Sequence, residues 1–251
     1  MSPPIRPYTI SPHQAGLAID ADGRFVWPID RPRRTKLAIQ GGGGWRAMQR
    51  DGIFDSDEWV VFGLNNFWGV CRDSSDRLRA DVWWEFHRIH PYNNGPHAGR
   101  PIQDANDMQW LRECPVPIYT VEPFTENPHA VVWPLDRYAK KYRRYIACTF
   151  AVQLMTALEE GFDEVAVYGL ALLNGTQREA TVESANVAYW LGMLEGRGVR
   201  ITIPDSVTDD GTNYPQLLLA HPWVYGWNYW EEADWVLHEY LSMWHRRPKA
   251  V

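Results

Sequence analysis

A chain of 251 residues, 45% hydrophobic and 22% charged, is long enough to bury a full core without help from a metal or a disulfide. Its formal charge of -6 argues against a dedicated nucleic-acid coat and a membrane-surface binder, although a local basic patch still permits brief contact with DNA. Cys71, Cys114 and Cys148 lie far apart with neither CxxC nor Cys/His spacing, which speaks against a zinc site or a disulfide framework and fits a reducing compartment.

The first residues carry no apolar signal-peptide core and no run approaches a membrane span, so a cytoplasmic protein is expected. Residues 1–34 are rich in Pro and Arg and contain a predicted β-hairpin over 17–27, turning at Asp22-Gly23. The first core strand, 37–39, empties through Gln40 into four consecutive glycines, Gly41 to Gly44, and a short helix is predicted over 45–50. A second strand, 59–63, ends in Leu64-Asn65-Asn66, and a third, 81–86, ends in His87. Residues 92–100 read as a loop. A helix over 104–113 takes Asp104 as its cap, a fourth strand covers 117–121, and 131–134 is extended. The apolar periodicity predicts a long helix over 145–160, stopped by Gly161. A buried strand over 163–169, a loop over 170–177, a helix over 180–195 and a last strand over 199–204 follow. The tail is aromatic and predicted helical from Glu231.

Strands alternating with helices define an α/β fold: a mostly parallel, Rossmann-like sheet with helices on both faces. The expected organisation is an N-terminal extension with its hairpin (1–34), a nucleotide-binding domain (35–206) and an aromatic-rich C-terminal segment with its helix (207–251), packing on the same domain. Ligands of such sheets bind outside the carboxyl ends of the strands, so the residues that follow each strand should converge on one rim.

Those residues nominate a site. Gln40, Gly41, Gly42 and Gly43 offer bare backbone N–H groups to a phosphate, or simply make a tight strand-to-helix turn; neither GxGxxG nor a Walker motif is present. Asn65 and Asn66 can donate to and accept from a base or ribose, or hold their own turn. Glu85 and His87, two apart at a strand end, point to one side of an extended chain, as an acid/base pair or a surface ion pair. Thr149 begins a helix, as a phosphate ligand or an ordinary cap. Fourteen Trp residues serve packing by default and sugar or base stacking where exposed. No paired-carboxylate metal motif is visible, so no metal is expected.

The order of these motifs, Ile39-Gln40-Gly41-Gly42-Gly43-Gly44, then Val60 to Asn65, then Ala147-Cys148-Thr149-Phe150 and Gly161 to Ala171, resembles the nucleotide-binding fold of bacterial oligosaccharide sialyltransferases and motility-associated flagellin glycosyltransferases. It also resembles small tailed-phage proteins with this pattern. The resemblance spans roughly residues 35–206 and implies a nucleotide-sugar donor bound transiently, with no permanent cofactor. It also implies a catalytic His in the loop before the penultimate helix, where residues 170–186 contain none, and an Asp where Ala171 stands. The base must then come from His87 with Glu85, or from Glu179 or Glu183 beside that loop, both of which also suit a plain helix surface.

The expected function is a metal-independent glycosyltransferase acting on an acceptor hydroxyl, one acceptor being a hydroxymethylated base in phage DNA. Two other classes stay open. One is a non-catalytic protein that sequesters a nucleotide. The other is a nucleotide pyrophosphokinase-type transferase, for which Asp51, Asp55, Asp57 and Glu58 are the nearby carboxylates.

Overall fold

The computed structural model describes residues 8–91, 104–170, 177–207 and 213–214. The chain divides into two units, Met1–Gln216 and Leu217–Val251, so the boundary falls ten residues beyond the expected start of the C-terminal segment. The second unit, with the aromatic helix expected from Glu231, lies outside the described residues.

Strands β1 (Ala18–Ile19) and β2 (Phe25–Val26) form the expected antiparallel hairpin. Asp20 builds its turn by accepting from the N–H groups of Asp22 and Arg24, and Gly23 takes the left-handed conformation at φ 69°. Then come β3 (Lys36–Gln40), α1 (Trp45–Arg50), β4 (Trp59–Leu64), β5 (Val82–Glu85) and α2 (Ala105–Glu113), the last capped by the Asp104 carboxylate on the N–H groups of Asn106 and Asp107. The remaining elements are β6 (Ile118–Thr120), β7 (Ala130–Val132), α3 (Leu135–Lys141), α4 (Thr149–Glu160), β8 (Glu164–Tyr168), α5 (Gln177–Glu195), β9 (Arg200–Thr202) and a hairpin of β10 (Ser206–Val207) and β11 (Asn213–Tyr214).

Seven strands make one sheet in the order β7-β6-β5-β4-β3-β8-β9, every pair parallel. The chain starts at β3, steps outward to β7, then returns to β8 on the other flank of β3. That reversal is the switch point at which α/β sheets place their ligands. Side chains alternate across the sheet. Ala38, Val61, Trp83, Ile118 and Ala166 pack with Met48 of α1 and with Trp110 and Leu111 of α2 in one core. Their neighbours Leu37, Ile39, Phe62, Trp84 and Val167 face the other way and are also buried, on the side of the hairpin and α4. Phe25 meets Phe62 edge-on there, and the Tyr119 hydroxyl donates to the Gly23 carbonyl. Trp83, Trp84, Trp110, Trp133 and Trp190 are all buried, so packing is their role.

Three departures have local causes. The helix expected over 145–160 begins at Thr149, because Cys148 is extended (φ -151°, ψ 166°) and the Tyr145 carbonyl is taken by the Trp190 indole N–H at 2.6 Å. α3 was not expected. It follows Pro134, with Asp136 in its first turn and Lys140 and Lys141 in its last, which favours a helix dipole over so short a run. α5 begins at Gln177, three residues earlier than its pattern.

Candidate functional site

The glycine run splits into two pairs. Gly41 and Gly44 are buried, while Gly42 and Gly43 are half-buried. A Cβ on Gly41 would lie 2.5 Å from the Phe150 ring and 2.6 Å from the Gly169 carbonyl; one on Gly44 would lie 2.5 Å from the Tyr168 carbonyl carbon. These two glycines therefore let the β3 turn pack main chain to main chain against the end of β8, where Gly169 is left-handed at φ 68°. At Gly41 the tight-turn alternative therefore holds. The Gly41 N–H donates to the Tyr168 carbonyl at 2.7 Å, extending the β3–β8 ladder, and the Gly44 N–H closes the turn on the Gly41 carbonyl at 3.1 Å. The N–H groups of Gly42 and Gly43 meet no main-chain acceptor among the described residues. Gly42 faces Phe67, whose ring would lie 3.0 Å from a Cβ there.

Beside this turn, Gln40 is fully buried at the end of β3 and both its amide atoms lack a partner among the described residues. Leaving a buried polar group unpaired costs about 1–3 kcal/mol, so such a side chain calls for water or a ligand. Asn65 follows β4 in a left-handed conformation, φ 49°, which Asn tolerates better than other non-glycine residues. Its N–H donates to the Trp84 carbonyl at 2.8 Å, its carbonyl accepts from the Trp83 indole at 3.1 Å, and its buried Oδ1 has no partner among the described residues. Asn65 thus holds its turn and keeps a side-chain acceptor in reserve. Asn66 is exposed and precedes a 3-10 turn, Phe67–Gly69, without capping it.

Glu85 and His87 meet at the end of β5. The Glu85 carboxylate is buried, with its side chain 2% exposed, and its Oε1 accepts from the His87 N–H and lies 2.9 Å from Nδ1. The His87 side chain is 59% exposed, which leaves Nε2 on the solvent side. The hydrogen bond to Glu85 raises the His87 pKa above its ordinary value, with burial opposing. Sequence reasoning missed what lies around this pair. Asp107 of α2 accepts from the Trp68 indole at 2.9 Å; burial raises its pKa, Asp104 and Glu85 add to the rise, and His87 works against it. Glu122 fixes the segment after His87 by accepting from the N–H groups of Ile89 and His90 at 2.6 and 2.8 Å. Neither Asp107 nor Glu122 carries a spacing signal, because each reaches the strand end from a different element.

Thr149 is the first residue of α4 and immediately precedes Phe150, whose ring abuts Gly41. The helix begins after Cys148, which makes no side-chain cap bond. Burial pushes the Cys148 thiol up to about 11. Glu183 sits in the second turn of α5; Glu179 is in its first turn, where side chains lie outside the described residues, as do residues 171–176 and His97.

The carboxylates considered for a metal are dispersed and engaged. Asp51 takes Arg50 and the Tyr168 hydroxyl, Asp55 takes Ser74, Asp57 takes His13, and Glu58 takes Lys36. Among the described residues no group of three or more His, Cys, Asp or Glu side chains could hold a metal ion, and no helix is long and apolar enough to cross a membrane.

Comparison with protein-family models, with curated proteins and with solved structures found no match. What the chain itself defines is an α/β protein with a seven-stranded all-parallel sheet and a polar rim at the carboxyl ends of β3, β4 and β5.

Proposed function

We propose that this rim binds a nucleotide-activated sugar and that the protein is a metal-independent glycosyltransferase. The observation that carries the reading is the Glu85–His87 pair: a buried carboxylate fixes Nδ1 of an exposed imidazole and turns Nε2 outward, two strand spacings, about 10 Å, from the glycine turn. In this reading Nε2 takes the proton of an acceptor hydroxyl as its oxygen bonds to the anomeric carbon. The bond from that carbon to the leaving phosphate oxygen breaks, and the nucleotide departs with the electron pair. The N–H groups of Gly42 and Gly43, which meet no main-chain acceptor among the described residues, and the first turn of α4, with Thr149, would stabilise the charge on the leaving phosphate. Gln40 and Asn65 supply unpartnered amide atoms for the base or ribose.

The free thiols, with Cys71 and Cys114 buried, fit a cytoplasmic enzyme. The acceptor to assay first is a hydroxymethylated base in DNA, as the likeness to phage proteins suggests. The test is a screen of nucleotide sugars for binding and turnover, followed by His87→Ala. Turnover should fall by about 10²–10⁴-fold with nucleotide affinity little changed. Nucleotide binding with no turnover of any sugar would replace this reading with a sequestering protein. Full turnover in His87→Ala, with loss in Glu179→Gln or Glu183→Gln, would move the base to α5.

A further inference from the structure

At the opposite end of the sheet, where β3 and β4 begin, lies a cavity of about 550 Å³ whose wall, among the described residues, carries Arg31, Arg33, Arg34 and Lys36 against Asp57 and Glu58. Its size is that of a small-molecule site. It is about 16 Å from the glycine turn, the length of the five-residue strand β3.

The charges on this wall are unequal in their commitments. Glu58 is taken by Lys36, and Asp57 by His13 at 3.0 Å with Arg34 at 3.9 Å. Arg34 is anchored: its guanidinium donates to the carbonyls of His13, Trp59 and Gln14 at 2.6, 2.9 and 3.2 Å. Burial lowers its pKa, and the neighbouring cations Arg79 and Arg31 push the same way against Asp81 and Asp57. Arg31 and Arg33 are exposed and make no ion pair among the described residues. Among the described residues Arg31 donates to the Gln14 carbonyl alone, at 3.2 Å; Arg33 reaches the Gly161 carbonyl at 3.5 Å and lies 5.2 Å over the Trp27 ring, which holds it in place. Glu58 is thus paired by Lys36 and Asp57 held by His13 and Arg34, while two forked, oriented guanidiniums two residues apart, of which Arg33 also feels the Glu160 carboxylate, keep donors to spare. Such forks match the oxygens of a phosphate group two at a time.

We infer that this cavity is a second ligand site, distinct from the rim, which takes a small polyphosphate through Arg31 and Arg33. The ligand class is a compact anion with at least two linked phosphate groups, one for each free guanidinium.

The experiment is calorimetric titration of the full chain with inorganic tripolyphosphate, using Arg31→Ala/Arg33→Ala and, separately, Gly42→Val. Both arginines are exposed, so their removal should leave the unfolding temperature within a few degrees of wild type, and circular dichroism checks this. The expected result is saturable binding that weakens by about tenfold or more in the arginine variant and persists in Gly42→Val, in which only the rim is blocked. Arg31→Lys/Arg33→Lys should recover part of the loss, because the charge returns without the fork. Absence of saturable binding, or equal binding by wild type and the arginine variant, overturns the inference. So does binding lost in Gly42→Val and kept in the arginine variant, which would assign the polyphosphate to the rim. A single-stranded oligonucleotide that binds more tightly than tripolyphosphate through the same two arginines would overturn the small-ligand assignment in favour of nucleic acid.

Discussion

Replacing Gly44 by alanine separates the structural glycines from the ones left for a ligand. Gly44 has φ -80°, so alanine meets no backbone strain there, and by restricting the unfolded chain it would gain about 0.4–1 kcal/mol if space allowed. Space does not allow it. The new Cβ would lie 2.5 Å from the Tyr168 carbonyl carbon, 2.7 Å from the Gly169 nitrogen and 2.7 Å from the Tyr168 Cβ. Two of these three atoms are main chain, so no side-chain rotation relieves the contact; the β3 turn must separate from the end of β8, straining the ladder bond from Gly41 to Tyr168. Overpacking costs about 1–3 kcal/mol when side chains can adjust, and the upper end applies here. Less the unfolded-state gain, the net loss should be about 2–2.6 kcal/mol, or roughly 4–10 °C in Tm for a domain of this size. Gly42→Ala is the control. Its Cβ meets only the Phe67 ring, at 3.0 Å, and a ring can yield by a few tenths of an ångström, so stability should change by less than about 1 kcal/mol. Urea denaturation of the two variants measures both numbers. If Gly44→Ala unfolds within about 0.5 kcal/mol of wild type, near the experimental error, the close packing of the two strand ends is wrong, and with it the division of the glycine run.

Four further outcomes are expected. Glu85→Gln removes the partner that raises the His87 pKa, so the ascending limb of the pH–rate profile should move to lower pH while maximal turnover falls; an unmoved limb would detach His87 from that limb. In stability the sign is opposite: the pair stabilises the folded chain fully below the unfolded His value, near 6.5, and that contribution is lost as pH rises through the raised folded value, so the difference between wild type and Glu85→Gln should shrink at alkaline pH. Asp81→Ala should cost about 3–5 kcal/mol by chemical denaturation, because it strands the fully buried Arg79 guanidinium, 2.8 Å from its carboxylate, and frees the N–H groups of Val61 and Ala15; a loss below about 1 kcal/mol would contradict this. Turnover, once a donor is found, should persist in chelator, since the carboxylates near the glycine turn are separately engaged; loss in chelator with recovery in magnesium or manganese would refute it.

Much of this protein is legible in its sequence for one physical reason: hydrogen bonding and side-chain alternation are local. The short continuous apolar runs at 37–39, 59–63 and 165–168 read as strands buried on both faces, and Asp104 and Gly161 mark helix ends by their own chemistry. The proximity of Glu85 to His87 follows from a two-residue spacing at a strand end, because that spacing repeats the pleat. Tertiary structure decided what locality cannot reach. Gly41 and Gly44 are packed main chain to main chain, and Gly42 is not, only because β8, more than 120 residues later in the chain, lies against the first two. Arg31 and Arg33 differ from Arg34 only because the carbonyls of His13, Gln14 and Trp59 converge on Arg34. Asp107 reaches the neighbourhood of His87 because α2 packs across the same sheet face, and whether Gln40 finds a partner is set by everything folded around it. Pattern in a sequence reports the backbone's local choices; the burial, pairing and freedom of a polar group are sums over distant neighbours, which only the folded chain brings together.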